Sequence, residues 1–277
     1  MTLKNIVWLA SYPKSGNTWT RAFLINYLLD AKEPVPINQI HRLGIGDAIT
    51  KAYRMVAKGQ PFNPGNIQEV IAHRPAVLRG IASNGADMNF VKSHNQNGLA
   101  LGQPLVPSGL TRSAIYILRN PLDLIVSFAR HYGHDMPSAI EAVRREDHVV
   151  QGDANSVTQF VGNWSGHVAG WVDCDTFPVH VMRYEDMLSD PHETFGKLVE
   201  SLGFPLTDDR LERAIQNASF DELSKQEAKS GFVERSANGP RFFHTGTSGQ
   251  WADTLTADEV AEIRRDHAVI MKRYGYL

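Results

Sequence analysis

The stretch Ile6-Val7-Trp8-Leu9-Ala10-Ser11-Tyr12-Pro13-Lys14-Ser15-Gly16-Asn17-Thr18-Trp19-Thr20-Arg21 constrains the fold more than any other. An apolar run stops at Tyr-Pro and crosses Lys-Ser-Gly-Asn-Thr. It then enters a segment with apolar side chains at Phe23, Leu24, Tyr27 and Leu28. This patterning predicts a buried strand over Lys4–Ala10 and a helix over Asn17–Leu29. In such a junction the loop N–H groups and those of the first helical turn converge on one point, which attracts an anion. Lys14 adds a full positive charge, Gly16 permits close backbone approach, and Ser15, Asn17 and Thr18 can donate hydrogen bonds. The triphosphate-binding loop Gly-x-x-x-x-Gly-Lys-Ser/Thr is absent, because Lys14 precedes the glycine.

Further strands are predicted at Met88–Lys92, Ser113–Leu118 and Val179–Met182. Helical periodicity recurs over 137–145, 156–172, 191–202, 208–217 and 257–274. Asn120-Pro121 opens another helix, with Asn at the cap, Pro at the first position and Asp123 favouring the helix dipole. Strands separated by helices predict an α/β fold with a central parallel sheet flanked by helices. The 277 residues contain no low-complexity linker, so one domain over 1–277 is expected. Segments 32–75 and 133–171 read as insertions. Residues 229–249, polar and rich in Gly and Ser, read as a flap.

A net charge of −2 excludes a globally basic surface for nucleic acid, so any polyanion site is a local cluster of cations. Cys174, the only cysteine, excludes an intrachain disulfide and a multi-cysteine zinc site. No apolar run approaches membrane-spanning length, and no basic segment followed by an apolar one opens the chain. A cytoplasmic protein without membrane attachment is therefore expected.

Tyr12-Pro13-Lys14-Ser15-Gly16-Asn17-Thr18-Trp19 resembles the 5′-phosphosulfate loop of sulfotransferases that use 3′-phosphoadenosine 5′-phosphosulfate (PAPS). The resemblance continues from Tyr116 to His131, where Arg119 and Ser127 match the contacts to the 3′-phosphate. Arg119 is placed at a strand end, where open α/β sheets bind ligands, and Ser127 and His131 share a helix face. Phe90-Val91-Lys92-Ser93-His94-Asn95 is similar to the family's Lys-Thr-His segment. That likeness implies His94 as general base, Lys92 as a helper at the acceptor or transferring group, and Lys14 as stabiliser of the departing phosphate oxygen. His131 is the second candidate for the base. The helix bearing Asn163, Trp164, His167 and Trp171 resembles one the family places beside the acceptor cavity, although its aromatic residues read equally well as core. Val181–Met187 resembles the family's strand-end Tyr-Glu-Asp, with Tyr184 on the adenine. Phe220 matches an aromatic residue that packs on the same base, and Trp19 would cover its other side.

The implied fold is like that of nucleotide kinases. The implied reaction moves a sulfuryl group from PAPS to a hydroxyl of a small phenol or alcohol, leaves adenosine 3′,5′-bisphosphate and requires no metal. The rivals are a kinase-like phosphotransferase and a silent nucleotide-binding homologue. Two departures stand out. Where the family has Arg-Lys-Gly-x-x-Gly-x-Trp, this chain reads His244-Thr245-Gly246-Thr247-Ser248-Gly249-Gln250-Trp251, which leaves Thr245, Gly246 and the nearby Arg241 to hold the phosphate. Ala252 and Ala257 replace two residues of the family's Lys-x-x-x-Thr-Val dimer motif, so a monomer or a different dimer is expected.

Overall fold

Ile6–Ser11 forms strand β1, with every residue buried, as suits the middle of a parallel sheet covered on both faces. The structure is a computed structural model that describes residues 4–236, 239 and 241–277. Strand β3 (Asn89–Ser93) runs parallel to β1, from Ile6 opposite Asn89 to Ala10 opposite Ser93. The short edge strand β2 (Gly44–Gly46) is parallel to β3 on its far side. With β4 (Thr111–Leu118) and β5 (Val179–Arg183), the sheet order is β2-β3-β1-β4-β5. The expected parallel sheet flanked by helices is therefore what forms. Trp8, fully buried, donates its indole N–H to Thr111 Oγ1 at 3.0 Å.

The chain divides into two compact units. The first comprises Met1–Tyr12, Gly44–Tyr116 and Val143–Val181. It holds most of the sheet and helices α2 (Thr50–Val56), α3 (Ile67–Ala82) and α6 (Trp164–Val172). The second comprises Pro13–Leu43, Ile117–Ala142 and Met182–Leu277. It contains α1 (Asn17–Leu28), α4 (Pro121–Tyr132), most of α5 (Met136–Arg144), α7 (Tyr184–Ser189) and α8 (Pro191–Ser201). Helices α9 (Asp208–Asn217), α10 (Phe220–Ser230), α11 (Ala257–Asp266) and α12 (Ala268–Arg273) complete it.

Several predicted elements are corrected. Segment 32–75 reads as short helices and loops and holds such elements, but its last helix, α3, runs on through Pro75 to Ala82. Asn66 caps that helix at Gln68 and Glu69, and Val70, Ile71, Val77, Leu78 and Ile81 bury one face. The helix expected from Ser156 begins only at Trp164. Gln159–Phe160 is extended instead and pairs antiparallel with Val149–Val150. Helix α10, which apolar spacing does not announce, is capped by Ser219 Oγ on the Glu222 N–H. The predicted 257–274 helix breaks at His267. Among the described residues no helix is long and apolar enough to cross a membrane.

Candidate active site

In the second unit the loop after Pro13 turns through two left-handed residues, Lys14 at φ 71° and Gly16 at φ 105°. Helix α1 then starts at Asn17 with no acidic residue in its first turn and no side-chain cap from Gly16. Positive potential at its N-terminus is thus left for a ligand. Ser15 is 1% exposed, and its Oγ has no hydrogen-bond partner among the described residues.

Arg119, at the end of β4, is buried. Its Nη1 donates to the Lys14 carbonyl at 2.9 Å, and its guanidinium lies 4.3 Å from the centroid of the Tyr184 ring. Arg119 Nε, also buried, has no hydrogen-bond partner among the described residues. Leaving a buried donor unsatisfied costs about 1–3 kcal/mol. Two such donors around a helix N-terminus therefore fit an anionic, phosphate-bearing ligand, with Ser15 and Arg119 among the groups that would hold it. Arg119 also braces the loop through Lys14, a role its sequence position does not disclose.

Tyr184 leaves no space above Gly16: a Cβ there would stand 2.9 Å from Tyr184 Cδ2. Burial raises the Tyr184 phenol pKa against the opposing charge of Arg119, so the hydroxyl remains a donor. Trp19 meets the rings of Tyr184 and Phe195 edge-on, each at 5.8 Å. Phe220 packs against the Gly246 backbone, where an added Cβ would come within 2.3 Å of its ring, and lies 6.1 Å from Phe243. Ser127 is half-buried on α4, whereas Arg241 and Thr245 are exposed. Thr18 Oγ1 accepts from Arg21 Nη2 and Asn17 Oδ1 from Arg21 Nε, so both candidates are tied to one buried arginine. The Lys14 ammonium sits 3.9 Å from the Phe242 ring centroid and 3.4 Å from His131 Nδ1.

Three carboxylates hold Phe242, Phe243, Gly249, Trp251 and Arg21, and apolar patterning discloses none of these bonds. Glu227, buried on α10, accepts the Phe242 and Phe243 N–H groups at 2.7 and 2.9 Å. Asp123 accepts those of Gly249 and Trp251 at 2.8 and 3.2 Å. Glu234 pairs with both terminal nitrogens of the buried Arg21, at 2.8 and 2.7 Å. Asp123, expected only to complement the α4 dipole, thus has a second role. An acidic residue inside an otherwise apolar helix face was the available signal.

In the first unit, His94 follows the last residue of β3. Its Nδ1 lies 2.9 Å from the Ser11 carbonyl oxygen and 3.2 Å from Ser11 Oγ. A carbonyl can only accept, so Nδ1 carries the hydrogen and the ring lone pair is at Nε2. Lys92 is half-buried on β3. The residues on either side of His94 are fixed by a buried acid: Asp47 Oδ2 accepts from Ser93 Oγ at 2.8 Å and Asn95 Nδ2 at 2.9 Å. It also accepts from Arg74 Nη2 at 2.6 Å. Trp164, His167 and Trp171 of α6 are fully buried, which makes them core of this unit.

Burial lowers the His167 pKa to about 4, against a hydrogen bond to the His94 carbonyl that works the other way. The unfolded chain, with its histidine near the ordinary value of 6.5, binds this proton more readily. The stability contribution is therefore complete above that pH and is lost as pH falls through about 4. The loss amounts to about 3 kcal/mol in all. Denaturant midpoints measured from pH 7 to 4 should fall less steeply for His167→Phe than for the wild type.

Among the described residues no group of three or more His, Cys, Asp or Glu is placed to hold a metal ion. The family model described as "Sulfotransferase domain" matches residues 4–275. An amine sulfotransferase of Oryctolagus cuniculus is 24% identical over 280 residues, 97% of this chain and 81% of that protein. Sulfotransferase 2A2 of Mus musculus is 29% identical over 153 residues, which span about half of each: 52% of this chain and 50% of that protein. The fold matches the crystal structure of mouse sulfotransferase SULT7A1 complexed with PAP at a TM-score of 0.61. Identity there is 20%, and the match covers 98% of this chain and 86% of that one. With the phosphate loop built as described and the family model spanning nearly every residue, the chain belongs to the sulfotransferase family and is a PAPS-dependent sulfotransferase.

Proposed function

We propose that the chain transfers a sulfuryl group to a hydroxyl of a small phenol or alcohol, with His94 as general base. The observation that carries this reading is the His94 hydrogen bond to the Ser11 carbonyl, which orients the imidazole with its lone pair at Nε2. A neutral imidazole in that tautomer can take a hydroxyl proton as the oxygen attacks sulfur. Bound PAPS supplies the activated sulfuryl group and is left as adenosine 3′,5′-bisphosphate. Lys14 stabilises negative charge on the phosphate oxygen that the sulfuryl group leaves, and Lys92 helps to hold the acceptor or the transferring group.

The nucleotide is held by Lys14, Ser15, Gly16, Asn17, Thr18 and Trp19 around its 5′ end, and by Arg119 and Ser127 at its 3′-phosphate. Tyr184 and Phe220 flank the base, and Arg241, Thr245 and Gly246 complete the 3′ side. The buried unpartnered donors of Ser15 and Arg119 support this assignment. Phe232, Phe242 and Phe243 form one aromatic cluster, with ring centroids 4.9 to 5.9 Å apart, which supports an apolar or aromatic acceptor. We further propose that the chain acts as one domain in the cytoplasm, as a monomer or as a dimer that does not use the Lys-x-x-x-Thr-Val motif.

The test is transfer of labelled sulfate from PAPS to panels of phenols, alcohols and amines, with and without EDTA. Label should enter phenols or alcohols equally in both conditions, and kcat/KM should fall along a single-proton limb towards acid pH. Label entering amines alone, or activity lost to EDTA, would sink the reading.

A further inference from the structure

Helix α6 presents two hydrogen-bond donors to the turn that carries His94. His167 and Trp171 are four residues apart and so share a face. Trp171 Nε1 donates to the Asn95 carbonyl at 3.1 Å. His167 Nε2 is 3.2 Å from the His94 carbonyl oxygen, and His167 Nδ1 is 2.8 Å from the Tyr116 hydroxyl. Because the carbonyl can only accept, Nε2 carries the hydrogen, and Nδ1 accepts the hydrogen of Tyr116. The ring is fully buried, with its centroid 5.3 Å from that of Tyr12, in a T-shaped pair, and 5.7 Å from that of Tyr116. Burial keeps it neutral, which this donor–acceptor assignment requires.

The His94 carbonyl lies one residue beyond β3, so the strand ladder does not fix it. Its peptide plane sets the direction in which the His94 side chain leaves the turn. Nδ1 of that side chain must reach the Ser11 carbonyl if Nε2 is to be the proton acceptor.

We propose that His167 is a positioning residue for the reaction: its Nε2–H grips the main-chain carbonyl of His94 and so keeps the His94 ring seated on Ser11 with the lone pair at Nε2. Tyr116 acts through His167 by selecting the tautomer that can donate. This inference rests on the reading of His94 as general base. His167 acts on the base and makes no proposed contact to the nucleotide, so the effect should fall on turnover and not on nucleotide binding. A small displacement of a reacting group costs up to about 100-fold in rate.

The experiment compares full-length His167→Phe, His167→Gln, Tyr116→Phe and His94→Ala with wild type. The readouts are circular dichroism, calorimetric binding of adenosine 3′,5′-bisphosphate, and steady-state kinetics with PAPS and a phenol. His167→Phe fills the volume without a donor, and kcat should fall about 10- to 100-fold with PAPS KM and nucleotide affinity little changed. In His167→Gln an amide N–H replaces Nε2–H, and most of the lost turnover should return. Tyr116→Phe should lower kcat several-fold, again without a change in KM. A folded His167→Phe that keeps wild-type kcat, or a Gln variant no better than Phe, overturns the inference. If His167→Phe does not fold, Tyr116→Phe decides: unchanged kcat overturns the inference, and a fall in kcat at constant KM supports it. Turnover surviving in His94→Ala would instead overturn the base reading, and this inference with it. An inactive His94→Ala beside a fully active His167→Phe removes the positioning role alone.

Discussion

Replacing His94 with alanine is expected to lower kcat by about 10²- to 10⁴-fold, the range of a lost general base. Affinity for adenosine 3′,5′-bisphosphate should stay at the wild-type value. The separation follows from the roles proposed for the groups: His94 takes a proton, whereas Ser15 and Arg119 hold the nucleotide. His94 belongs to the first unit, where its Nδ1 bonds to the Ser11 carbonyl. The unpartnered donors of Ser15 and Arg119 and the first turn of α1 belong to the second. The smaller side chain leaves the Asp47 bonds to Ser93 and Asn95 in place, so the fold should persist. Single-turnover transfer of labelled sulfate, with calorimetry of the nucleotide product, measures both quantities. Turnover close to wild type would remove His94 from the reaction.

Gly16→Ala is expected to weaken nucleotide binding by about 10²-fold or more and to lower stability as well. Two independent costs coincide at this position. A φ of 105° is one that L side chains rarely adopt, and a left-handed residue with a Cβ is penalised by roughly 1–2 kcal/mol. The Cβ would also stand 2.9 Å from a ring atom of Tyr184. Either the ring or the loop must yield, and both line the candidate nucleotide site. Gly59→Ala is the control: its φ of 83° carries a similar backbone penalty, but a Cβ there meets nothing within 4 Å. If both alanine variants bind nucleotide like the wild type, the geometry ascribed to Gly16 is wrong.

What the sequence disclosed follows from how far apart the cooperating residues lie along the chain. Ile6 to Arg21 contains a strand, an anion loop and a helix in immediate succession, so patterning and loop chemistry were readable together. The Asn120 cap and Pro121 were readable for the same reason: the cap and the N–H it satisfies are neighbours. By contrast, the surroundings of His94 are assembled from Asp47, Tyr116 and His167, and no short-range rule connects these positions. Helix α3 was obscured by Pro75, whose local preference is overridden by burial of the helix's apolar face. The role of Asp123 was only half visible, since the N–H groups it binds come from residues 126 and 128 positions further along.

The anchoring of residues 242, 243, 249 and 251 bears on how this part of the chain can change over generations. Glu227 and Asp123 grip main-chain N–H groups, which every residue except proline supplies. The side chains at 242, 243 and 251 are thus not specified by the bonds that hold their backbone, whereas the left-handed φ of 87° favours glycine at 249. Substitutions at 242 and 243 can remodel the aromatic cluster while these main-chain bonds persist, so the packing of the rings and the attachment of the backbone can change independently.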